Sequence, residues 1–204
     1  MEYVAHLNEK RTQTLKDHLS GTAQLAARFA EHFGKADWGY ACGMLHDIGK
    51  YSLAFQDKIK NNSNRQVDHS TAGAKVCLEK GGMYSFMSYC IAGHHSGLPD
   101  CGSSSDPGNA PTLQGRKKKH IEDYSAYKSE IHVPEIKTLP FDPKYSPNPD
   151  VSLSVFIRML YSCLVDADFL DTEYFMKEGQ TQREAGEELS VLLEKLKKHV
   201  AGWL

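Results

Sequence analysis

Apolar residues recur at Leu15, Leu19, Ala23, Leu25, Ala26, Phe29, Ala30 and Phe33, a three-and-four spacing that predicts an amphipathic helix stopped by Gly34. Asp37 is placed to cap a second helix through Trp38, Ala41, Cys42, Leu45 and Ile48, with Gly49 as its break. A further helical stretch around Leu53, Phe55 and Ile59 ends in NNSNR. His69 and Ser70 open a run through Ala72, Val76, Leu78 and Glu79 that Gly81 and Gly82 close, and Tyr84 to Ala92 forms the next segment. Helix resumes at Val151 with SLSVFIRMLYSCLVDADFLD, and a last amphipathic helix is expected from Gln182 to Val200. No strand-like alternation lasts more than a few residues, so the pattern predicts an all-α helical bundle. Between Pro99 and Asp150 proline, glycine and serine accumulate, and a long irregular insertion is expected there, with one short helix around His120 to Ser129.

At 204 residues, 40% hydrophobic and 25% charged, the chain is long enough to bury a core without a metal or disulfide staple. A net charge of -2 with a pI near 6.5 excludes a basic nucleic-acid coat, so a polyanion has to be met by a local patch. A mean hydropathy of -0.50 excludes a membrane-embedded chain, and Arg158 interrupts the best apolar run, Val151 to Val165. No membrane partner is expected. Glu2, Glu9 and Asp17 in a start without a signal-like apolar stretch point to the cytoplasm. Five cysteines without a C-x-x-C spacing argue against a disulfide framework or zinc ribbon and read as small buried hydrophobes.

Ten histidines are more than packing demands. His46-Asp47 in GMLHDIGK places an imidazole beside a carboxylate, a pair able to hold a divalent ion and to bridge to a second. Alone such a pair equally marks a helix end. Its company changes the weight: His18, His69 and the pair His94-His95 each stand beside apolar helix residues, flanked by small residues such as Gly21, Gly43, Gly49, Ala72, Gly73 and Gly93. His6, His32, His120, His132 and His199 lack that setting and read as ordinary core or surface residues.

The order H, HD, H, HH, D resembles the HD superfamily of metal-dependent phosphohydrolases. YVAHL, DHLSGTAQLAARFA, GMLHDIGKYSLAFQ, DHSTAGA, IAGHHSGLPD and SCLVDADFLDTE extend the resemblance to the HD nuclease domain of the CRISPR-associated helicase-nuclease of type I systems, over almost the whole chain outside the insertion. The resemblance implies a single HD nuclease domain over residues 1–204, with residues 99–150 as its insertion. It implies a first metal held by His18, His46, Asp47 and one aspartate of the VDADFLD helix, and a second held by Asp47, His69, His94 and His95. Asp166, Asp168 and Asp171 compete for the aspartate place. At about 100° per residue Asp168 falls nearer than Asp166 to the apolar stripe of Leu160, Leu164 and Ala167, and is the aspartate expected to face the metal.

A dinuclear site of this kind implies two divalent ions and a metal-activated water attacking a phosphodiester, with Asp47 and Lys50 as catalytic residues. Mixed histidine and carboxylate ligation suits Mn, Fe, Co or Ni at least as well as Mg. The run Arg116, Lys117, Lys118 and Lys119 is the candidate contact for single-stranded DNA, with Tyr124 and Tyr127 near enough in sequence to stack on bases. The implied partners are single-stranded DNA, a superfamily 2 helicase in cis or in trans, and a crRNA-guided surveillance complex. No P-loop G-x-x-x-x-G-K-[ST] occurs in the chain, so the helicase part is expected elsewhere, with this chain either an excised domain, the favoured reading, or a stand-alone nuclease subunit working with a separate helicase. A nucleotide or cyclic-nucleotide phosphohydrolase of the HD type is the alternative and predicts a closed small pocket; an idle scaffold would lack a ligand.

Overall fold

The computed structural model describes residues 2–61, 63–179 and 186–203. The chain enters through a small antiparallel hairpin, β1 (Val4–Leu7) and β2 (Thr12–Thr14), pairing Leu7 with Thr12 and Val4 with Thr14 around a bulge. Helices α1 (Leu15–Glu31), α2 (Ala36–Leu45), α3 (Leu53–Lys60), α4 (Ser70–Lys80), α5 (Tyr84–Gly93), α6 (Leu113–Lys118), α7 (Pro149–Met176) and α8 (Leu189–Ala201) follow. The all-α reading holds, with the hairpin as an addition. Strands of four and three residues interrupted by a bulge are too short to show a period of two, which is why the pattern hides them.

Side-chain caps fix several helix starts. Thr14 accepts a hydrogen bond from Asp17 N, Ser52 from Phe55 N and Asn148 from Val151 N, each meeting one of the free donors of a first turn. The Asn148 cap with Pro149 at the first position starts α7 two residues before Val151. α1 packs along α2 and α7, α4 along α5, and α5 against α7. Between them lie Leu15, Leu19, Trp38, Leu45, Ile48, Met87, Ile91, Leu160 and Leu164, all fully buried or nearly so. Each such side chain contributes roughly 1.5–3 kcal/mol.

Three expected elements differ. α2 ends at Leu45 rather than Ile48; Asp47 breaks the helix, and Ile48–Tyr51 forms a separate 3-10 turn. The short helix of the insertion is α6, capped by Thr112, whereas the expected segment holds only a 3-10 turn at Ser125–Ser129. α8 begins at Leu189, and residues 182–185 of the helix expected from Gln182 lie outside the described residues. Four cysteines are buried as expected, but Cys101 is exposed in the insertion.

The insertion is irregular and yet packed. Leu113, Tyr127, Ile131 and Ile136 are buried in the main core. Trp38 Nε1 donates to Thr138 O at 3.0 Å, and Asp37 accepts from the backbone N–H groups of Lys137 and Thr138 at 2.7 and 2.8 Å. Asp37, expected as a helix cap, thus straps the insertion to the start of α2, although it also accepts from Trp38 N. Among the described residues no helix is long and apolar enough to cross a membrane.

Candidate metal centre

Helix ends bring the polar side chains together. His18 lies one turn into α1, His46 and Asp47 follow α2, His69 precedes α4, His94 and His95 follow α5, and Asp168 projects from α7. Asp47 is the hub and is fully buried. Its Oδ2 lies 3.4 Å from His18 Nε2 and from His46 Nε2, while Asp168 Oδ1 closes that side at 3.3 and 3.5 Å from the same nitrogens. Its Oδ1 lies 3.3 Å from His94 Nε2 and 3.5 Å from His69 Nε2. His95 Nε2 completes the second side at 2.8 Å from His69 Nε2. Two tetrads result, His18, His46, Asp47 and Asp168, and Asp47, His69, His94 and His95; within each the ligand atoms lie within 4.8 Å of one another.

The opposite edges of the imidazoles are held. His46 Nδ1 and His94 Nδ1 each lie 2.7 Å from a backbone carbonyl three residues earlier, Gly43 O and Ile91 O. His18 Nδ1 donates to Asp171 Oδ2 at 2.8 Å, and Gln13 Nε2 donates to the same oxygen at 2.8 Å. Such partners fix the tautomer and turn the Nε2 lone pair inward. Asp171, one of the three aspartates in contention, therefore supports His18 from behind, Asp168 faces the centre, and Asp166 is exposed.

Two glycines permit these approaches. A Cβ on Gly49 would stand 2.2 Å from His69 O, so only glycine lets the chain after Asp47 pass the backbone that carries His69. A Cβ on Gly21 would stand 2.0 Å from Asp171 Oδ1.

Charge is distributed unevenly. Burial pulls His18 down, but the neighbouring carboxylates of Asp168, Asp171 and Asp47 outweigh it and carry its pKa up to about 9. Against the same burial, the neighbouring carboxylates of Asp47 and Asp168 raise His46 to about 10. Burial would raise Asp47 and Asp168, yet Lys50 and His46 hold the first, and His18 and His46 the second, well below the carboxylate range. On the second side burial lowers His69, and burial with the neighbouring His94 lowers His95 to about 4. The carboxylates thus hold His18 and His46 up on one side, while burial holds His69 and His95 down on the other.

The residues fit divalent ions. His18 Nε2, His46 Nε2, His94 Nε2 and Asp47 Oδ1 are buried without a hydrogen bond within the protein, while Asp47 Oδ2 has the ion pair with Lys50. Orphaned polar atoms converging in one core are costly unless a cation takes them up.

With the geometry in place, comparison with known families matches the HD domain to residues 15–126. The chain belongs to the HD domain family. Membership makes it a metal-dependent hydrolase, and the His/Asp tetrads are compatible with that chemistry. Comparison with curated proteins found no match. The HD match ends before α7, so Asp168 joins the HD centre from outside the matched segment.

The remaining candidates lie around the centre. Lys50 Nζ stands 2.7 Å from Asp47 Oδ2 and is itself buried. A surface cleft of about 440 Å³ opens on His69 and His95 past His6, Lys50 and Phe55, and another of about 780 Å³ opens on them past Ser70, Ser96, Arg116 and Lys119. Within the basic run, Arg116 donates to Ser70, Thr71 and Ser96, Lys119 pairs with Asp68 at 2.5 Å, and Lys118 donates to Ser104 O and Asp106 O. Lys117 is exposed. Tyr124 and Tyr127 stack on each other, with Tyr127 buried in the core.

His6, read from the sequence as an ordinary core or surface residue, lies beside the centre, and Lys58, not singled out by the sequence, lines both clefts. His6 packs edge-on against His18 at 4.8 Å between centroids, and burial together with Lys50 and His18 pushes it down to about 3. It sits in β1, away from the helix ends that carry the other histidines. The signal that could have marked it was its place in YVAHL.

Proposed function

We propose that this HD domain cleaves phosphodiester bonds of single-stranded DNA in type I CRISPR interference, with two divalent ions held by His18, His46, Asp47 and Asp168 and by Asp47, His69, His94 and His95. The observation that carries the reading is the position of Asp47, whose two buried oxygens serve two tetrads at once. Divalent ions in such a pair of sites lower the pKa of a bound water and offset the charge of a phosphodiester.

The protein's own groups supply the rest. Backbone carbonyls and Asp171 hold the imidazole rings in the tautomer that aims Nε2 at the centre. Lys50 brings a buried ammonium to the same carboxylate and is positioned to offset charge gathering on the phosphate. The side on which His95 is exposed faces two adjoining clefts rather than a sealed pocket, and this supports a chain-like substrate over a free nucleotide. A helicase, in cis or in trans, and a crRNA-guided complex are the partners that would deliver a displaced strand.

The test is cleavage of labelled circular single-stranded DNA beside a nucleotide panel, after EDTA stripping and re-addition of Mn, Co, Ni or Mg. Metal-dependent cutting of the circle, lost in Asp47→Ala, is expected. Hydrolysis of nucleotides with the DNA left intact would overturn the reading in favour of a nucleotide phosphohydrolase.

A further inference from the structure

Most cations near the centre are engaged. Lys50 is turned onto Asp47, Lys119 onto Asp68, Lys118 onto two backbone carbonyls, and Arg116 onto three hydroxyls. Lys58 differs. It stands on α3, half-buried, and lines both clefts, which meet at Lys58, His69 and His95. Among the described residues no carboxylate pairs with it.

The position of its ammonium is set by Phe55, one turn earlier on α3. Lys58 Nζ lies 5.8 Å from the centroid of the Phe55 ring, and Lys50 Nζ lies 5.5 Å from the same centroid. The Phe55 ring in turn stands edge-on to His69 at 5.2 Å. One aromatic ring therefore carries two ammonium groups beside a metal-ligand histidine, and only one of them is spent on a protein carboxylate. A cation held over a ring face is ordered before any ligand arrives, which lowers the entropic cost of using it.

We propose that Lys58 is the anchor for a second phosphate of the substrate, next to the one that is cut, so that the centre favours a nucleotide chain over an isolated phosphodiester. The proposal rests on the nuclease reading and adds to it a residue outside the basic run. It also fixes which groove the strand follows, from the cleft beside His6 and Lys50 into the cleft beside Ser96 and Arg116.

The experiment compares Mn-loaded wild type, Lys58→Ala and Lys58→Arg on a single-stranded oligonucleotide and on bis(p-nitrophenyl) phosphate, a diester with no second phosphate. Lys58→Ala is expected to raise KM for the oligonucleotide about tenfold with kcat within about twofold, and to lower kcat/KM on the small diester far less. The salt dependence of oligonucleotide binding should lose about 0.7 in slope, the share of one phosphate contact on a single strand, and Lys58→Arg should restore most of the affinity. Equal losses on both substrates, or a wild-type KM in Lys58→Ala with the DNA still cut, would overturn the role of Lys58 and leave the nuclease reading standing. Wild type that turns over the small diester but leaves every oligonucleotide intact overturns both.

Discussion

Lys50 Nζ lies 2.7 Å from Asp47 Oδ2 although no continuous helix carries the two residues, because the chain breaks at Asp47 and re-forms as a 3-10 turn. The pair neutralises one edge of a carboxylate that also serves two groups of imidazoles. Lys50→Met should therefore keep ion loading within a few-fold while lowering kcat on DNA by roughly a hundredfold, the usual scale for removing one group that stabilises developing charge. Equilibrium dialysis beside single-turnover cleavage separates the two effects. Loss of ion loading would make Lys50 a structural element of the centre.

Asp47, Asp168 and His95 should differ in what their removal costs. Asp47→Ala is expected to lose both ions, Asp168→Asn the ion of the His18 and His46 side, and His95→Ala the ion of the His69 and His94 side. Metal analysis of dialysed protein reads this directly. A ligand at a hundred times its Kd adds about 2.7 kcal/mol, which in a chain of this size raises Tm by roughly 5–10 °C. That increment should appear in wild type and vanish in Asp47→Ala.

Asp37 gives the insertion an acid-sensitive attachment. Its carboxyl is partly desolvated, which raises its pKa, but the N–H groups of Thr138 and Lys137, the Thr138 hydroxyl and Trp38 N outweigh that and hold it below its ordinary value. A carboxyl depressed in the folded state stabilises fully above its unfolded pKa, about 3.9, and loses that contribution as pH falls through the folded value. Protection of the Lys137 and Thr138 amides, each exchange rate being taken relative to the intrinsic rate at the same pH, should fall below about pH 4 in wild type. In Asp37→Asn protection should be low already at pH 7, with little further loss on acidification.

Much of this was legible in the sequence because it depends on local pattern. The stripe from Leu15 to Phe33 produced α1, and the small residues around His46, His69 and His94 marked helix ends where side chains meet. What stayed hidden depends on contacts distant in sequence. The split between Asp168 and Asp171, three residues apart on α7, is decided by which side of His18 each reaches, and helical phase alone could not assign the partner behind the ring. The basic run looked like a free patch because its partners lie outside its own turn of chain, from Asp106 and Ser104, 12 and 14 residues from Lys118, to Thr71, Ser70 and Asp68, 45 to 51 residues away. Lys58 looked like any solvated lysine, since nothing in its neighbourhood signals that Phe55 turns it toward the clefts.

Arg116 ties two ligand-bearing segments together. Its Nη1 donates to Ser70 and Thr71, just after His69, and its Nη2 to Ser96, just after His95. Arg116→Ala should weaken the ion of the His69, His94 and His95 side roughly tenfold, a loss of about 1.4 kcal/mol of coupling, and spare the other ion. Titration with Mn, followed by calorimetry as two binding steps, checks it. Equal weakening of both steps would assign Arg116 to general stability.

Gly49→Ala should be among the more damaging small substitutions. The added Cβ meets the backbone of His69 at O, Cα and C, and backbone cannot swing aside as a side chain can. A cost of about 1–3 kcal/mol is expected from overpacking, visible as a lowered denaturation midpoint. Gly21→Ala first meets the Asp171 carboxylate, a side chain rather than backbone, and should be milder in stability.

The contribution of α7 to the first tetrad has a topological consequence. An ion there would cross-link His18 near one end of the described chain to Asp168 near the other, enclosing α2 through α6 and the whole strap within one closed loop. Closing so long a loop has its entropic cost charged late in folding, after the helices between have formed. Ion capture would then report that α7 has docked. A single cut in the insertion would turn that loop into two fragments, which the ion would then hold together alongside the packing of α7 on α1 and the hydrogen bond from His18 to Asp171.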